Sequence, residues 1–263
     1  MSRGMLYYRR KQPDKDEHLR RRVEVVMVKH PAYGHKRIAD ELKVSRKRAR
    51  RVMKLYALKP ARRARAPSKP NDAGQPESKK PDILSKLSPI APDTVWVADF
   101  TYVSTWQGFV YVAFVIDAYA RKIVGWRVSR TPHAGFVLDA LEQALHDRRP
   151  TGGDRLVHHS DRGSQYVSIK YTERLAAAGI EPSVGSVGDS YDNALAETIN
   201  GLYKAELIHR RGPWRSFEAV EFATLEWVDW FNNRRLMGPI GNIPPAEAEQ
   251  RYYASLECPA LVA

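Results

Sequence analysis

The chain has very little cysteine and no long apolar run, and both absences narrow its class. Of 263 residues only Cys258 is a cysteine, which excludes an internal disulfide framework and a cysteine-rich zinc centre. No stretch approaches the roughly 18 consecutive apolar residues of a membrane span, and MSRGMLYYRRKQPDKDEHLRRR at the start lacks the apolar core of a secretory signal. A cytoplasmic protein with no membrane partner is expected. There is no glycine-rich phosphate-cradling loop, no nucleophile elbow and no internal repeat, so a metabolic enzyme is disfavoured.

What is present is positive charge, unevenly placed. The formal net charge is +13. Residues 1–70 hold 23 Lys/Arg against 6 Asp/Glu, leaving 20 against 24 for the rest. A basic segment of this density is the footprint of phosphate neutralisation. A merely solvated tail would lack apolar periodicity, and this segment has it. The spacing predicts helices in DEHLRRRVEVVMVKH, HKRIADELK and SRKRARRVMKLYAL, with a turn at Ala32-Tyr33-Gly34 and Ser45 as an N-cap. In the last helix Ala49, Val52, Met53 and Tyr56 form an apolar stripe. Lys47, Arg50, Arg51 and Lys54 form a basic one. This pattern predicts a small all-α helix-turn-helix domain over 1–60, with the basic stripe on DNA. A helical hairpin packed on a partner protein is the blander alternative, and the density of positive charge argues against it.

Residues 61–93, rich in Pro, Ser, Lys and Arg, read as a basic linker. From 94 to 263 the chain reads as α/β. TVWVADFTYVST, FVYVAFVIDAYA and KIVGWRVSR predict an antiparallel meander, followed by alternating helices and strands. The result expected is a mixed sheet covered by helices.

Three carboxylates stand out in this region. Asp99 interrupts an apolar strand, where an unpaired carboxylate is costly to bury. Asp161 ends the short strand LVHHSD, at an edge where crevices open. Glu197 shares a helical stripe with Asn193, Asn200 and Lys204. For any single acid a salt bridge or cap would be the simpler account, and Asp117, Asp189 and Asp192 are assigned such roles. Together the three form a hard oxygen set suited to Mg²⁺ or Mn²⁺. Two such ions about 4 Å apart stabilise the attacking and leaving oxygens of an in-line phosphoryl displacement. Lys204 is placed to hold a DNA phosphate. His158 and His159 point to opposite strand faces and do not suit one ion. Trp214, Trp227 and Trp230 are expected in the core, and Asn233, Arg234 and Arg235 are candidate DNA contacts.

WVADFTY, HSDRGSQY and GDSYDNALAETINGLYKAEL, in that order, resemble the three signatures of integrase-core transposases in the insertion-sequence-three family. Thirty-five residues, 162–196, separate the second Asp from the Glu. YVAFVIDAYARKIVGW, WVDWFNNRR and IGNIPPAEAEQRYY match as well, so the resemblance covers nearly the whole chain. Ala98 departs from the threonine common before the first Asp. The resemblance implies a ribonuclease-H-like core, Asp99, Asp161 and Glu197 as ligands of two metal ions, and Lys204 as the basic residue seven positions after the Glu. Implied chemistry is water-driven cleavage at the element's 3′ end, then attack of the freed 3′-hydroxyl on another phosphodiester. The chain resembles the downstream product of two overlapping reading frames. Implied partners are element-end and target DNA, further copies of itself on that DNA, and the upstream-frame protein or a fusion with it, in a bacterial nucleoid. A DNA-binding regulator with an inert core, and a nuclease that cuts without joining, are the competing readings.

Overall fold

In the computed structural model, residues 12–61, 89–150, 156–160, 166, 168–184 and 194–257 are described. Contacts divide the chain into two compact units, Met1–Ala73 and Gly74–Ala263.

Among the described residues of the first unit are three helices: α1 (Gln12–Lys29), α2 (His35–Leu42) and α3 (Arg46–Leu55). Leu19, Val23 and Val26 of α1, one helical turn apart, are buried with Ile38 and Ala39 of α2 and Ala49, Val52 and Met53 of α3. Only Lys43, Val44 and Ser45 join α2 to α3. Lys43 takes a left-handed φ of 52° that ends α2, and the Ser45 hydroxyl accepts the Arg48 N–H at 3.3 Å to start α3. The short connection therefore comes from a left-handed stop followed by a capped start.

The second unit is built on a five-stranded sheet. β1 (Val95–Thr105), β2 (Gly108–Asp117) and β3 (Ile123–Ser129) form the antiparallel meander, and β4 (Val157–Ser160) and β5 (Glu181–Val184) add to it in parallel, in the order β3-β2-β1-β4-β5. Helices cover both faces. On one lie α4 (Ala134–Arg148) and α5 (Ile169–Ala177), packed on Trp96, Ala98, Ala113 and Val115. On the other, α6 (Ala194–Tyr203) and α8 (Phe217–Asn233) pack on Val95, Val97, Val103, Val112 and Phe114. Alternate residues of one strand thus feed two separate cores. α4 approaches so closely that a Cβ at Gly125 would lie 2.1 Å from the Ala140 carbonyl oxygen. α7 (His209–Arg211), a 3-10 turn at Gly238–Ile240 and α9 (Pro245–Glu257) complete the described elements.

Sequence spacing predicts one unbroken helix through DNALAETINGLYKAELI. Instead α6 gives way at Lys204 to a π turn, Lys204–Ile208, before α7. Inside that turn Glu206 is bound by both sides of the Arg235 guanidinium, Nε to Oε2 at 2.9 Å and Nη2 to Oε1 at 2.7 Å. A fork-to-fork contact of this kind is among the strongest neutralising pairs available to a buried cation. It supplies a non-local reason for the register change that spacing along one helix does not contain.

Candidate active site

Asp99 lies on the β1 face that receives α6, where Val97 and Val103 enter the core beside it. Its carboxylate, half-buried, is held at both oxygens. Oδ1 accepts the Phe100 N–H at 2.8 Å, and Oδ2 accepts Nδ2 of Asn200, from α6, also at 2.8 Å. Asn200 is buried, at 7% exposure, so this bond ties the helix to the strand at a fixed point. Glu197 stands one helical turn earlier on α6, on the same side as Asn200 by its i, i+3 spacing, and its side chain is exposed. β4 runs parallel to β1 in a register that sets Ser160 opposite Ala98, the residue before Asp99. Asp161 follows Ser160 in sequence but lies outside the described residues, as do Asp189, Asp192, Asn193 and Cys258.

Lys204 opens the π turn that follows α6, with its ammonium 4.8 Å from the centre of the Tyr102 ring on β1. Asp99, Glu197 and Lys204 are therefore carried by one strand, the helix bonded to it and the turn directly after that helix. Among the described residues no three His, Cys, Asp or Glu side chains gather as a cation site; two of the three expected carboxylates are described and the third is not. The donor chemistry that is described fits a hard divalent cation, being carboxylate oxygen without sulfur or imidazole. The Asn200 Oδ1 atom, buried and without a hydrogen-bond partner among the described residues, leaves this polar cluster open to a further group.

The other polar residues of this unit sort by burial. Asp117, at 0% exposure, accepts the Asp93 and Ala120 N–H groups at 2.7 Å each, the strand-end role expected of it. Burial pushes its carboxyl up to about 6, against the two backbone bonds. His158 meets the Tyr171 hydroxyl at 3.0 Å and His159 meets Ser183 at 3.1 Å, both buried, on opposite faces of β4. Burial lowers His158 to about 4, so it is neutral near pH 7. Trp214 and Trp227 are buried in the core and Trp230 packs partly against it.

One expectation is overturned. Arg235 is not a DNA contact: it is 1% exposed, paired with Glu206 and stacked 5.6 Å from the Phe231 ring. Its position after an amphipathic helix says nothing about which way it turns, and the Glu206 carboxylate decides that. Arg234 and Asn233 are exposed and contact Asp229. Sequence reading also missed the pairing of Asn200 with Asp99, although it had placed Asn200 on the same helical stripe as Glu197.

In the first unit Lys47, Arg50, Arg51 and Lys54 are exposed on α3. Arg51 donates to buried Asp16 at 2.5 Å while half of its side chain stays in water. Lys15, Ser45, Lys47, Arg48 and Arg51 line a cleft beside the start of α3.

A mixed sheet of this order with helices on both faces defines the class as an integrase-like core. Residues 89–190 and 178–245 each match a family model described as "Integrase core domain". A chain of the simian T-cell lymphotropic virus intasome, in complex with the PP2A regulatory subunit B56 gamma, shares the fold. There the TM-score is 0.50 at 13% identity, over 66% of this chain and 57% of that one. A protein of Mycobacterium tuberculosis described as a transposase for insertion sequence element IS986/IS6110 is 50% identical over 254 residues, 93% of this chain and 90% of that protein. The transposase for insertion sequence element IS629 of Shigella sonnei is 67% identical over 165 residues, 63% of this chain; the match spans only 54% of that relative's length. The chain belongs to the integrase-core transposases of insertion-sequence elements. Among the described residues no helix is long and apolar enough to cross a membrane.

Proposed function

We propose that the protein cuts insertion-sequence DNA ends and joins the freed 3′-hydroxyl strand to a second phosphodiester, with Asp99, Asp161 and Glu197 as its catalytic carboxylates. The observation that carries this reading is the Asn200–Asp99 bond, which brings the Glu197 helix to the Asp99 strand within the family's own motif order. Asp161, which follows Ser160 in sequence, is the third carboxylate of the set in this reading.

These three side chains would hold Mg²⁺ or Mn²⁺, two ions in all. Bound there, the ions supply charge stabilisation at the entering and leaving oxygens and lower the pKa of the attacking water. The chain's own residues do the positioning. Asn200 fixes one oxygen of Asp99 so that the carboxylate does not swing between partners. Lys204 takes a neighbouring DNA phosphate as a point charge, aligning the strand for in-line attack. In the first step a water oxygen bonds to phosphorus and the 3′-oxygen of the element leaves as a hydroxyl. In the second, that 3′-oxygen bonds to a target phosphorus and displaces the target's own 3′-oxygen. No covalent bond between protein and DNA is needed.

Residues 1–60 act as a helix-turn-helix module, with Lys47, Arg50, Arg51 and Lys54 on DNA and the Lys15–Arg48 cleft taking a phosphate. Residues 61–93 serve as the linker and 94–263 as the catalytic core. The working form is an oligomer on DNA, with the upstream-frame protein or a fusion completing end recognition.

The test is a strand-transfer assay with labelled, pre-cut element-end DNA in Mg²⁺ or Mn²⁺, comparing wild type with Glu197→Gln. Joined products from wild type and none from the variant support the reading. Cutting without joining would assign the chain to the nucleases, and DNA binding without either reaction, in this chain and in the fusion alike, to the regulators.

A further inference from the structure

Beyond Asp99 the β1–β2 hairpin keeps three aromatic side chains in water: Tyr102 at 58% exposure, Trp106 at 68% and Phe109 at 56%. They are organised. Ser104 pairs with Phe109 and Tyr102 with Tyr111, which puts Tyr102 and Phe109 on one face of the hairpin, and their rings meet edge to face at 5.5 Å. Trp106 caps the turn, fixed by its N–H to the Trp214 carbonyl at 3.0 Å and by the left-handed φ of 111° at Gly108. Each end of the array carries a cation over a ring: Lys204 over Tyr102 at 4.8 Å and Arg215 over Trp106 at 5.5 Å.

Exposed rings interleaved with cations match a polymer that has both π-faces and phosphates. A paired duplex hides its base faces between neighbouring bases, so the rings suit unpaired nucleotides. Location agrees with this. Lys204, two helical turns beyond Glu197, lies over the Tyr102 ring, and Tyr102 is three residues along β1 from Asp99, on the order of 10 Å at the usual strand rise and, by strand alternation, on the opposite face.

We propose that the β1–β2 hairpin is a stacking platform for unpaired nucleotides beside the scissile phosphodiester, with bases on Tyr102, Phe109 and Trp106 and phosphates on Lys204 and Arg215. The identity of the polymer rests on the strand-transfer reading above. The platform makes DNA opening at the element end part of substrate selection, because only separated strands offer bases to it.

Binding by the full chain tests this without any cutting, in buffer free of divalent cations. The probes are a blunt 20-base-pair duplex and the same duplex with four unpaired nucleotides at one end, read by fluorescence anisotropy. Wild type is expected to prefer the opened end at least tenfold, since each stacked base contributes about a tenfold factor. Tyr102→Ala with Trp106→Ala should reduce that preference to twofold or less and leave blunt-duplex affinity intact, while Tyr102→Phe with Trp106→Phe should retain it. Single Trp106→Ala serves if the alanine pair does not fold. No preference in wild type, or an unchanged preference in the alanine variants, overturns the platform. So does a change in the sedimentation of the DNA-free chain on alanine substitution, which would assign the hairpin to contact between copies. Because the readout is binding, failure of wild type to join DNA would remove the transposase reading without removing a measured preference for opened ends.

Discussion

The two ends of β1 lie on one strand and do opposite work. Trp96 to Ala98 have β2 on one side and β4 on the other, and all three are buried. The polar groups near that end are sealed into pairs. Asp93 receives Nε and Nη2 of Arg148, and the same guanidinium reaches Glu249, which also takes Lys122 at 2.5 Å. Burial alone would push the Glu249 carboxyl up, but the Arg148 and Lys122 cations more than offset it and hold it below its usual range. From Asp99 to Thr105 the described pairing with β4 has ended, and the side chains include a half-buried carboxylate and exposed Tyr102. Asp117 and Asp99 sharpen the difference. Among the described residues both donors to Asp117 are backbone N–H groups, whereas Asp99 takes a side-chain donor from the Glu197 helix as well as a backbone N–H. The Asp117 bonds fasten a strand end, whereas the Asn200–Asp99 bond ties the strand to the helix that carries Glu197.

This contrast fails if substitutions at the open end unfold the protein or those at the closed end only slow it. The largest effect expected is from Glu197→Gln. Joining should fall by roughly a thousandfold or more, in line with loss of a preorganised charged group. Its unfolding free energy in urea should stay within about 0.5 kcal/mol of wild type because the side chain is exposed. At the closed end Arg148→Met should cost about 3 kcal/mol, leaving Asp93 and Glu249 without their shared cation, while joining per folded molecule is unchanged. Chemical unfolding followed by circular dichroism measures it, and a stable but inactive Arg148→Met would erase the distinction.

Asn200→Ala is the sharper probe, since it leaves all three carboxylates in place. Loss of a group that orients a ligand typically costs about 10- to 100-fold in activity or metal affinity. Joining should drop by that amount and recover partly at high Mn²⁺, with DNA affinity unaltered; no response to Mn²⁺ would mean that Asn200 serves only the fold. The smallest effect is pH-linked. His158 has its folded pKa lowered to about 4 from 6.5, so the folded chain binds fewer protons than the unfolded one between those values. Its contribution to stability is intact above pH 6.5 and is lost as pH falls toward 4. Asp117, raised to about 6, acts in the opposite sense over much of the same range. The difference in urea midpoint between wild type and His158→Gln isolates the histidine, and should shift in favour of the variant from pH 7 to pH 5.

Much of this was legible in sequence. The near-continuous β-branched and aromatic runs in VWVADFTYVST and FVYVAFVID mark strands, and Ser45 marks the start of α3, because both signals are local. Asp99 stands out as a carboxylate in an apolar strand for the same reason. Arg235 was misread, and the π turn unforeseen, because both depend on Glu206 meeting a residue 29 positions away. Likewise Arg51 finds Asp16 and Asn200 finds Asp99 across 35 and 101 positions, distances over which helical spacing carries no signal.

The π turn also bears on how the chain tolerates changes of length. A plain α-helix advances about 100° per residue, so losing one residue from it turns everything that follows by about that angle. The wider π turn already takes up an extra residue, and losing one between Lys204 and Ile208 would restore plain α-helix with little rotation of α7. Only the turn itself would be redrawn, and with it the Glu206 carboxylate that holds the buried Arg235 guanidinium. The pairing, more than the length, is what this segment has to preserve.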